Sequence, residues 1–527
     1  VKVARSDRLG AGTTITMRSI LLLAAGLVAC SSEVDLGPNP DAGADTALPT
    51  PCTPGETRAC YTGPPSTAGV GICKPGTQVC LDSRTFGECK GEVIPSPVPE
   101  ACGTKEDLDC NGSLPPARCS GGIEWSTDFS PARFADIALD SAGNFFVVGT
   151  FEGPSLALGS LKLTAGTGSP TGFVAKLDPS AKPLWAKAIT NGATQVIRVT
   201  VDGKGNAYTA VGLATDDGNG GYVMGLDVAK YDPAGARSWI RSYPQVNLLV
   251  GLGEDTTPIA VNANGDVVFC GTFVGTTKVG NQTFTSAREA QPDGLIVRLG
   301  PTGNLVWVHR LAATTDFEDA SPAAVAIDAA GLTTVGGGFA LQLTIGGKKV
   351  TGGKTSDGWV ARVANDGTVA WVSTWGGADY DIANHLALDE SGGFVTFGVG
   401  TPKVPFSFGG DPELVRWSQN GTKGFAKALG PHRIVTPVDV GVDKLGNTFI
   451  SVRSDGKVGL GGVDVMQAGL ALARYDAAGN FVWQAGYVGD LAEGDSIIRR
   501  GGRFALDPQG AIFLLTRGGR EISKVTP

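Results

Sequence analysis

The sequence predicts an all-β protein, a seven-bladed β-propeller closed by an N-terminal strand and preceded by a small disulfide-rich module. Two observations point to the propeller. A unit of roughly sixty residues recurs seven times, the mark of a closed radial repeat. Each unit also carries the same markers: an acid or amide closing its first strand (Asp140, Asp202, Asn262, Asp328, Asp389, Asp443, Asp507) and a base late in its third strand (Lys176, Lys230, Arg298, Arg362, Arg416, Arg474, Lys524). An aromatic stands nine residues after the base in six units (Trp185, Trp239, Trp307, Trp371, Phe425, Trp483). A third observation points to the module: eight cysteines crowd between Cys52 and Cys119.

In chain order, residues 1–30 read as an export signal. Met17-Arg18-Ser19 precedes a short apolar run, Ile20 to Val28, too short to span a bilayer as a stable helix. Leu27-Val28-Ala29-Cys30 resembles the lipobox of bacterial lipoproteins, which implies cleavage before Cys30 and lipid attachment to its thiol. Translation from either Val1 or Met17 is compatible with that signal. Several acyl chains, each methylene adding about 0.8 kcal/mol, would anchor the chain to a membrane. Ser31 and Ser32 follow the anchor without a charged retention signal, so an outer-membrane or cell-surface location is expected. Residues 31–51, rich in Pro, Gly, Ala and Asp, cannot form a core and read as a flexible tether.

Residues 52–121 form the second expected unit. Cys52, Cys60, Cys73, Cys80, Cys89, Cys102, Cys110 and Cys119 are an even set in an exported chain, and so small a segment needs covalent staples. Their connectivity is open, since eight cysteines allow about 105 arrangements. The stretches Cys52 to Pro65, Gly69 to Cys80 and Phe86 to Val93 resemble the Cys-rich modules of myxobacterial surface proteins, a family associated with a metal-binding motif. That resemblance directs attention to Asp107, Asp109 and Asn111, oxygen side chains spaced like the first half of a calcium loop and followed by Gly112. Arg118 stands where a bidentate Glu should close such a loop, so a disulfide-pinned turn is expected and no metal is assigned.

Residues 122–527 carry the propeller. Apolar residues alternate in Ile137-Ala138-Leu139-Asp140, which is strand periodicity. Asp140 to Asn144 supplies a turn, and Asp232-Pro233-Ala234-Gly235 presets another between third and fourth strands. No amphipathic helix is expected after residue 30. The last repeat stops at Pro527 before its aromatic, and Gly122-Ile123-Glu124-Trp125 supplies the missing strand, which removes a free sheet edge. Phe173 to Pro179, Asp140 to Gly149 and their copies resemble the propeller repeats of large bacterial exported proteins, most of which have no assigned reaction.

Two positions locate the axis. Small residues two before each marker (Ala138, Thr200, Ala260, Ala326, Ala387, Gly441, Ala505) fit where wedge-shaped blades crowd together. Two residues earlier stand Asp136, Arg198, Pro258, Ala324, His385, Asp439 and Arg503. Asp136, Arg198, His385, Asp439 and Arg503 are therefore the candidate ligand contacts, expected where this ring opens at the channel mouth; the alternative is a solvated, mutually neutralising rim.

Enzyme motifs fail. Gly353-Lys354-Thr355 lacks the leading glycine of a phosphate loop and has no helix after it. A Gly-x-Ser-x-Gly elbow does not occur. Of three histidines, His309 reads as an exposed strand position, His432 as a solvated loop residue, and His385 as part of the rim. Cys270, inside a strand, reads as a small buried hydrophobe. A net charge of −8 with dispersed bases argues against nucleic-acid binding. The leading expectation is a lipid-anchored, monomeric, non-enzymatic binding or adhesion scaffold for a protein or glycan, without a cofactor. It would act through the channel mouth and the loops joining second to third strands, such as Phe151 to Thr171 and Phe273 to Asp293. The alternatives are a hydrolase or lyase using Asp136, His385 and Asp439, and a structural envelope component.

Overall fold

The computed structural model describes residues 52–95, 107, 110 and 112, and residues 121–526 apart from 167, 217–221, 249–255, 288–291, 313–319, 354–355, 377–380, 401–410, 430–434, 455–458, 462–468, 489–501 and 508–509. They fall into two units, divided between the Cys-rich residues and residues 121–526. No α-helix occurs among the described residues, only single 3-10 turns at Pro65–Thr67 and Arg517–Gly519.

The Cys-rich unit is built on a two-stranded antiparallel ribbon, Thr57–Cys60 against Gly76–Val79. Disulfides join Cys52 to Cys80, Cys60 to Cys89 and Cys73 to Cys110. Cys102 and Cys119 lie outside the described residues. The buried apolar side chains of this unit are the half-cystines Cys52, Cys73, Cys80 and Cys110, so the staples themselves are the core. Arg58 covers the Phe86 ring at 3.9 Å.

The second unit is a seven-bladed propeller, each blade a meander of antiparallel strands. Blade 1 comprises Arg133–Leu139, Phe145–Phe151, Thr171–Leu177 and Pro183–Ile189, in that order from the axis outward. Blades 2 to 6 occupy 193–244, 246–311, 320–375, 382–428 and 435–488. Blade 7 takes three strands from the C-terminal end (Phe504–Leu506, Ile512–Thr516, Glu521–Val525), and its outermost strand is Ile123–Asp128. The closing strand is in register, with Trp125 opposite Lys524 just as Trp185 is opposite Lys176 in blade 1.

The sequence markers turn out to be joints between and within blades. Aromatic residues of one blade lie against the third-to-fourth-strand turn of the next. Trp185 and Trp239 donate through Nε1 to the carbonyls of Pro233 and Pro301, each at 3.0 Å. A Cβ on Gly235 would fall 2.6 Å from the Trp185 ring, and on Gly421 2.9 Å from Trp371. Both glycines have positive φ (84° and 80°), so conformation and contact independently require glycine there. Between blades 6 and 7, where the third and fourth strands of blade 7 come from distant parts of the sequence, Gly121 supplies the glycine, 3.1 Å from Trp483 by the same construction.

The bases pair with the marker acids inside their blades: Lys176 with Asp140 (3.0 Å), Lys230 with Asp202 (4.0 Å), Arg362 with Asp328 (2.8 Å), and Arg416 with Asp389. Burial pushes the Asp140 carboxyl up, but the Asn144 donors and Lys176 outweigh it and hold it below its usual range. Blade 3 differs. Arg298 pairs at 3.1 Å with Asp266, the fifth residue of the turn, while Asn262 holds the marker place. Acid and amide have exchanged positions relative to Asp140 and Asn144, and the carboxylate is conserved in space rather than in register. In blade 7, Lys524 pairs with Glu124 of the N-terminal strand at 2.8 Å. Arg298 and Arg416 also reach the next blade, donating to the carbonyls of Gly331 (2.8 Å) and Gly446 (3.0 Å).

His309 departs from its expected exposure. It is partly buried, bonded through Nε2 to the Gly367 carbonyl at 2.8 Å in blade 4, and burial lowers its pKa. Arg241 makes the equivalent link to Gly303, so this outer-strand position ties neighbouring blades together. His432 lies outside the described residues. Cys270 is fully buried as expected, and burial pushes its thiol far up.

The loops from second to third strands are also more regular than expected. In blades 1, 3 and 4 they form a small hairpin: Ser155–Leu158 with Leu161–Thr164, Thr276–Val279 with Gln282–Thr285, and Gln342–Ile345 with Lys348–Thr351. Leu156 and Leu158, Thr277 and Val279, and Leu343 and Ile345 alternate into the core while their neighbours face water.

Candidate functional site: a polar cluster at the propeller axis

Bulges aim the candidate residues at the axis. The innermost strands of blades 1, 4, 5 and 6 slip register just before Asp136, Ala324, His385 and Asp439. Blade 2 slips between Thr194 and Val196, shortly before Arg198. A bulge re-aims the following side chain, which explains why the small-residue pattern breaks at this level. The small residues two positions on behave as expected. Ala138 packs against blade 2, Ala260 against blade 4 and Ala387 against blade 6, and a Cβ on Gly441 would meet Phe504 of blade 7 at 2.9 Å.

Asp136 and Asp439 do the same job one blade apart from the seam on either side. Each accepts at 3.0 Å the amide of the residue after it, Ile137 or Val440, with Oδ1. With Oδ2 each accepts an amide of the next blade: Val199 N–H to Asp136 at 3.0 Å, and Phe504 N–H to Asp439 at 3.1 Å. Arg198 and Arg503 precede those two amides. Arg503 pairs with Asp439 at 3.3 Å, and Arg198 donates to its neighbour's carbonyl at Ile197.

Both guanidiniums then converge on one backbone oxygen, the carbonyl of Thr256, with Arg198 Nε at 3.2 Å and Arg503 Nη2 in hydrogen-bond contact. Thr256 belongs to blade 3, whose inner edge is interrupted. Val246–Asn247 pairs with one end of Val267–Phe273 and Ile259–Val261 with the other. The chain between them brings Thr256-Thr257 to the axis. Thr257 bridges in parallel to Ala324 of blade 4, donates its amide to the Asn384 carbonyl of blade 5, and places Oγ1 3.2 Å from His385 Nδ1.

This corrects the expectation of a ring open at the channel mouth, whether as ligand contacts or as a solvated rim. The structure gathers Asp136, Arg198, His385, Asp439 and Arg503 as the sequence indicated, yet all five are buried, His385 completely. The physical reason is Thr256-Thr257 of blade 3, whose peptide and hydroxyl groups meet both guanidiniums and His385. Two participants escaped the sequence reading: Thr256-Thr257 and Arg453, the latter on the second strand of blade 6. A signal for the first existed, since the stretch from Trp239 to Asn262 is visibly longer than that from Trp185 to Asp202.

The electrostatics follow from burial. Desolvation holds His385 well below its ordinary pKa, and Arg503, Arg198 and Arg453 push the same way, so the ring is neutral across physiological pH. Burial raises Asp439 to about 6, against the pull of Arg503 and with a further push from Asp136. Carboxylates and guanidiniums bonded to the chain's own amides and carbonyls clamp blades together, and in this conformation they touch peptide rather than solvent.

The acidic turn of the Cys-rich unit is a local cap. Asp107 Oδ2 accepts the Gly112 amide at 2.9 Å, and Cys110 is tied to Cys73. Asp109, Asn111 and Arg118 lie outside the described residues, as does Cys30. Among the described residues no group of three or more His, Cys, Asp or Glu side chains could hold a metal ion.

No protein-family profile matches this chain, and no curated protein matches it. Solved structures similar to it include a protein of unknown function from Bacteroides caccae, at 11% identity over 57% of this chain and 90% of that one, with a TM-score of 0.31. Another is the β-propeller domain of the Trilobed protease from Pyrococcus furiosus, described as having an open velcro topology (11% identity, 76% and 94% covered, TM-score 0.37). A third is a protein of unknown function from Dyadobacter fermentans (10% identity, 68% and 97% covered, TM-score 0.38). At such scores the seven-bladed assignment rests on this chain's own strand pairing.

Proposed function

We propose that this protein is an exported, lipid-anchored envelope protein of the outer membrane or cell surface, attached through Cys30, whose propeller is a non-enzymatic binding or adhesion scaffold for a protein or glycan. The observation that carries the reading is the contrast between axis and perimeter. The titratable residues best suited to chemistry, Asp136, His385 and Asp439, are buried in contacts with the chain itself. The perimeter hairpins of blades 1, 3 and 4 share buried apolar anchors but present different exposed groups: Ser160 and Lys162, Asn281 and Gln282, Lys348 and Lys349. A constant support with changing tips is how a rigid scaffold diversifies recognition. The three disulfides support an oxidising compartment.

Two measurements test it. Metabolic labelling with a fatty-acid analogue is expected to mark the wild-type chain and not Cys30→Ala; equal labelling of both removes the anchor. The full chain is also presented to a glycan array and to envelope extract. Replacing the exposed tip residues of the three hairpins is expected to lower any binding at least tenfold. Binding indifferent to those replacements discards the perimeter as the recognition surface.

A further inference from the structure

The strand that completes blade 7 differs from the outer strands of blades 1 to 6 in that no hairpin links it to the strand it pairs with. Ile123–Asp128 is the outermost strand, and its residues are exposed or half-buried throughout; Trp125 is its contribution to a core cluster. Backbone pairing to Glu521–Val525, the exchanged bonds of Gly121 and Gly122 with Thr526, the Glu124–Lys524 pair and, at its N-terminal end, the Tyr487 hydroxyl of blade 6 donating to the Gly121 carbonyl at 2.7 Å hold it. The other three strands of blade 7 are fastened independently of it. Phe504, Ile512, Leu514 and Val525 pack with Phe449, Leu470, Leu472 and Trp483 of blade 6, while Phe513, Leu515 and Ile522 pack with Phe134, Ile137 and Phe145 of blade 1. At the axis, Phe504 is tied to Asp439, and Arg503 to Asp439 and Thr256.

We infer that Ile123–Asp128 is a detachable strap: it releases from blade 7 as a unit of its own while the seven blades stay closed through their interfaces and the Thr256 joint at the axis. Local opening free energies follow buried apolar contact, and the strap has one half-buried tryptophan where the axial amides sit among fully buried groups. The strap is also the part of the propeller continuous with the N-terminal residues, so tension on them meets the Gly121 contact with Tyr487 and then the strap, before the interfaces made by the other three strands of blade 7. Yielding there would let the ring remain intact under load, whatever the N-terminus is attached to.

Hydrogen exchange of the full oxidised chain, resolved by fragment and corrected for intrinsic rates, tests this. Amides of Ile123–Asp128 are expected to exchange at least a hundredfold faster than those of Val199, Val325 and Phe504, which donate to Asp136, Thr257 and Asp439. Trp125→Ala is expected to speed strap exchange about tenfold or more and leave the axial amides unchanged. Asp439→Asn is expected to do the reverse, loosening Phe504 while the strap keeps its rate. One common protection factor for strap and axis overturns the inference, as does a Trp125→Ala chain that loses axial protection by the same factor or fails to fold at all.

Discussion

Arg298 and its neighbours in blade 3 offer a sharp test of how the repeat is held together. The guanidinium side chain is 6% exposed and pairs at 3.1 Å with Asp266, itself 20% exposed. It also donates to Gly331 O (2.8 Å) and Asn365 Oδ1 (2.9 Å). Asp266→Asn removes the sole carboxylate of the turn and strands a buried cation among neutral acceptors. Breaking a buried pair from one side costs about 3–5 kcal/mol, and the two surviving acceptors reduce this to about 2–4 kcal/mol. The second substitution, Asn262→Asp, rebuilds the arrangement of blade 1, where Asp140 accepts the turn amides with Oδ1 and offers Oδ2 to Lys176 at 3.0 Å. The exchanged variant Asn262→Asp/Asp266→Asn is therefore expected within about 1 kcal/mol of wild type, a coupling of at least about 1 kcal/mol between the two sites. Urea unfolding of wild type, both single variants and the double variant measures it, with midpoints compared at constant slope. A double variant as unstable as Asp266→Asn, or an Asp266→Asn chain within about 0.5 kcal/mol of wild type, refutes the idea that the carboxylate's place in space is what the fold requires.

The axial cluster predicts opposite pH signatures for two adjacent groups. Asp439 is raised to about 6 in the fold from 3.8, so the folded chain binds its proton more tightly, and this contribution is fullest below about 4 and lost as pH rises through 6. Asp439→Asn should cost more at pH 4 than at pH 7. His385 is lowered from 6.5, so its contribution is present above 6.5 and lost as pH falls, and His385→Gln should cost more at pH 7 than at pH 5. Parallel stability profiles for the two variants would contradict the burial assigned to them. Gly421→Ala forces a left-handed residue into contact with Trp371, and the two effects together are expected to destabilise by roughly 2–4 kcal/mol. A thermal shift indistinguishable from zero would show that the joint between blades 4 and 5 is not tightly packed.

Much of the architecture was legible because propeller repeats write the same local chemistry many times over. Asp140 and its copies announce a turn, and Lys176, Trp185 and their copies count the blades; that the base pairs with the acid and the aromatic meets the following blade is visible only in the fold. Trp125, opposite Lys524, completes the set and places the closing strand. The legible part fails where one copy departs alone. Asn262 looks like a weak marker until the fold shows Asp266 supplying its carboxylate, and His309 looks exposed until blade 4 supplies Gly367 beside it. The regular hairpins hid in apparently variable loops, although Leu156-x-Leu158-Gly159, Thr277-x-Val279-Gly280 and Leu343-x-Ile345-Gly346 repeat one alternation.

What sequence alone determines here is everything set by neighbours along the chain: strand period, turn chemistry, the blade count and the pairing of the two distant ends. Whether the ring of Asp136, Arg198, His385, Asp439 and Arg503 faces water was decided only in three dimensions. The carbonyl of Thr256 from blade 3 occupies two guanidiniums that come from blades 2 and 7. Burial of those charges depends on what fills the space between seven blades, and no local pattern encodes that volume.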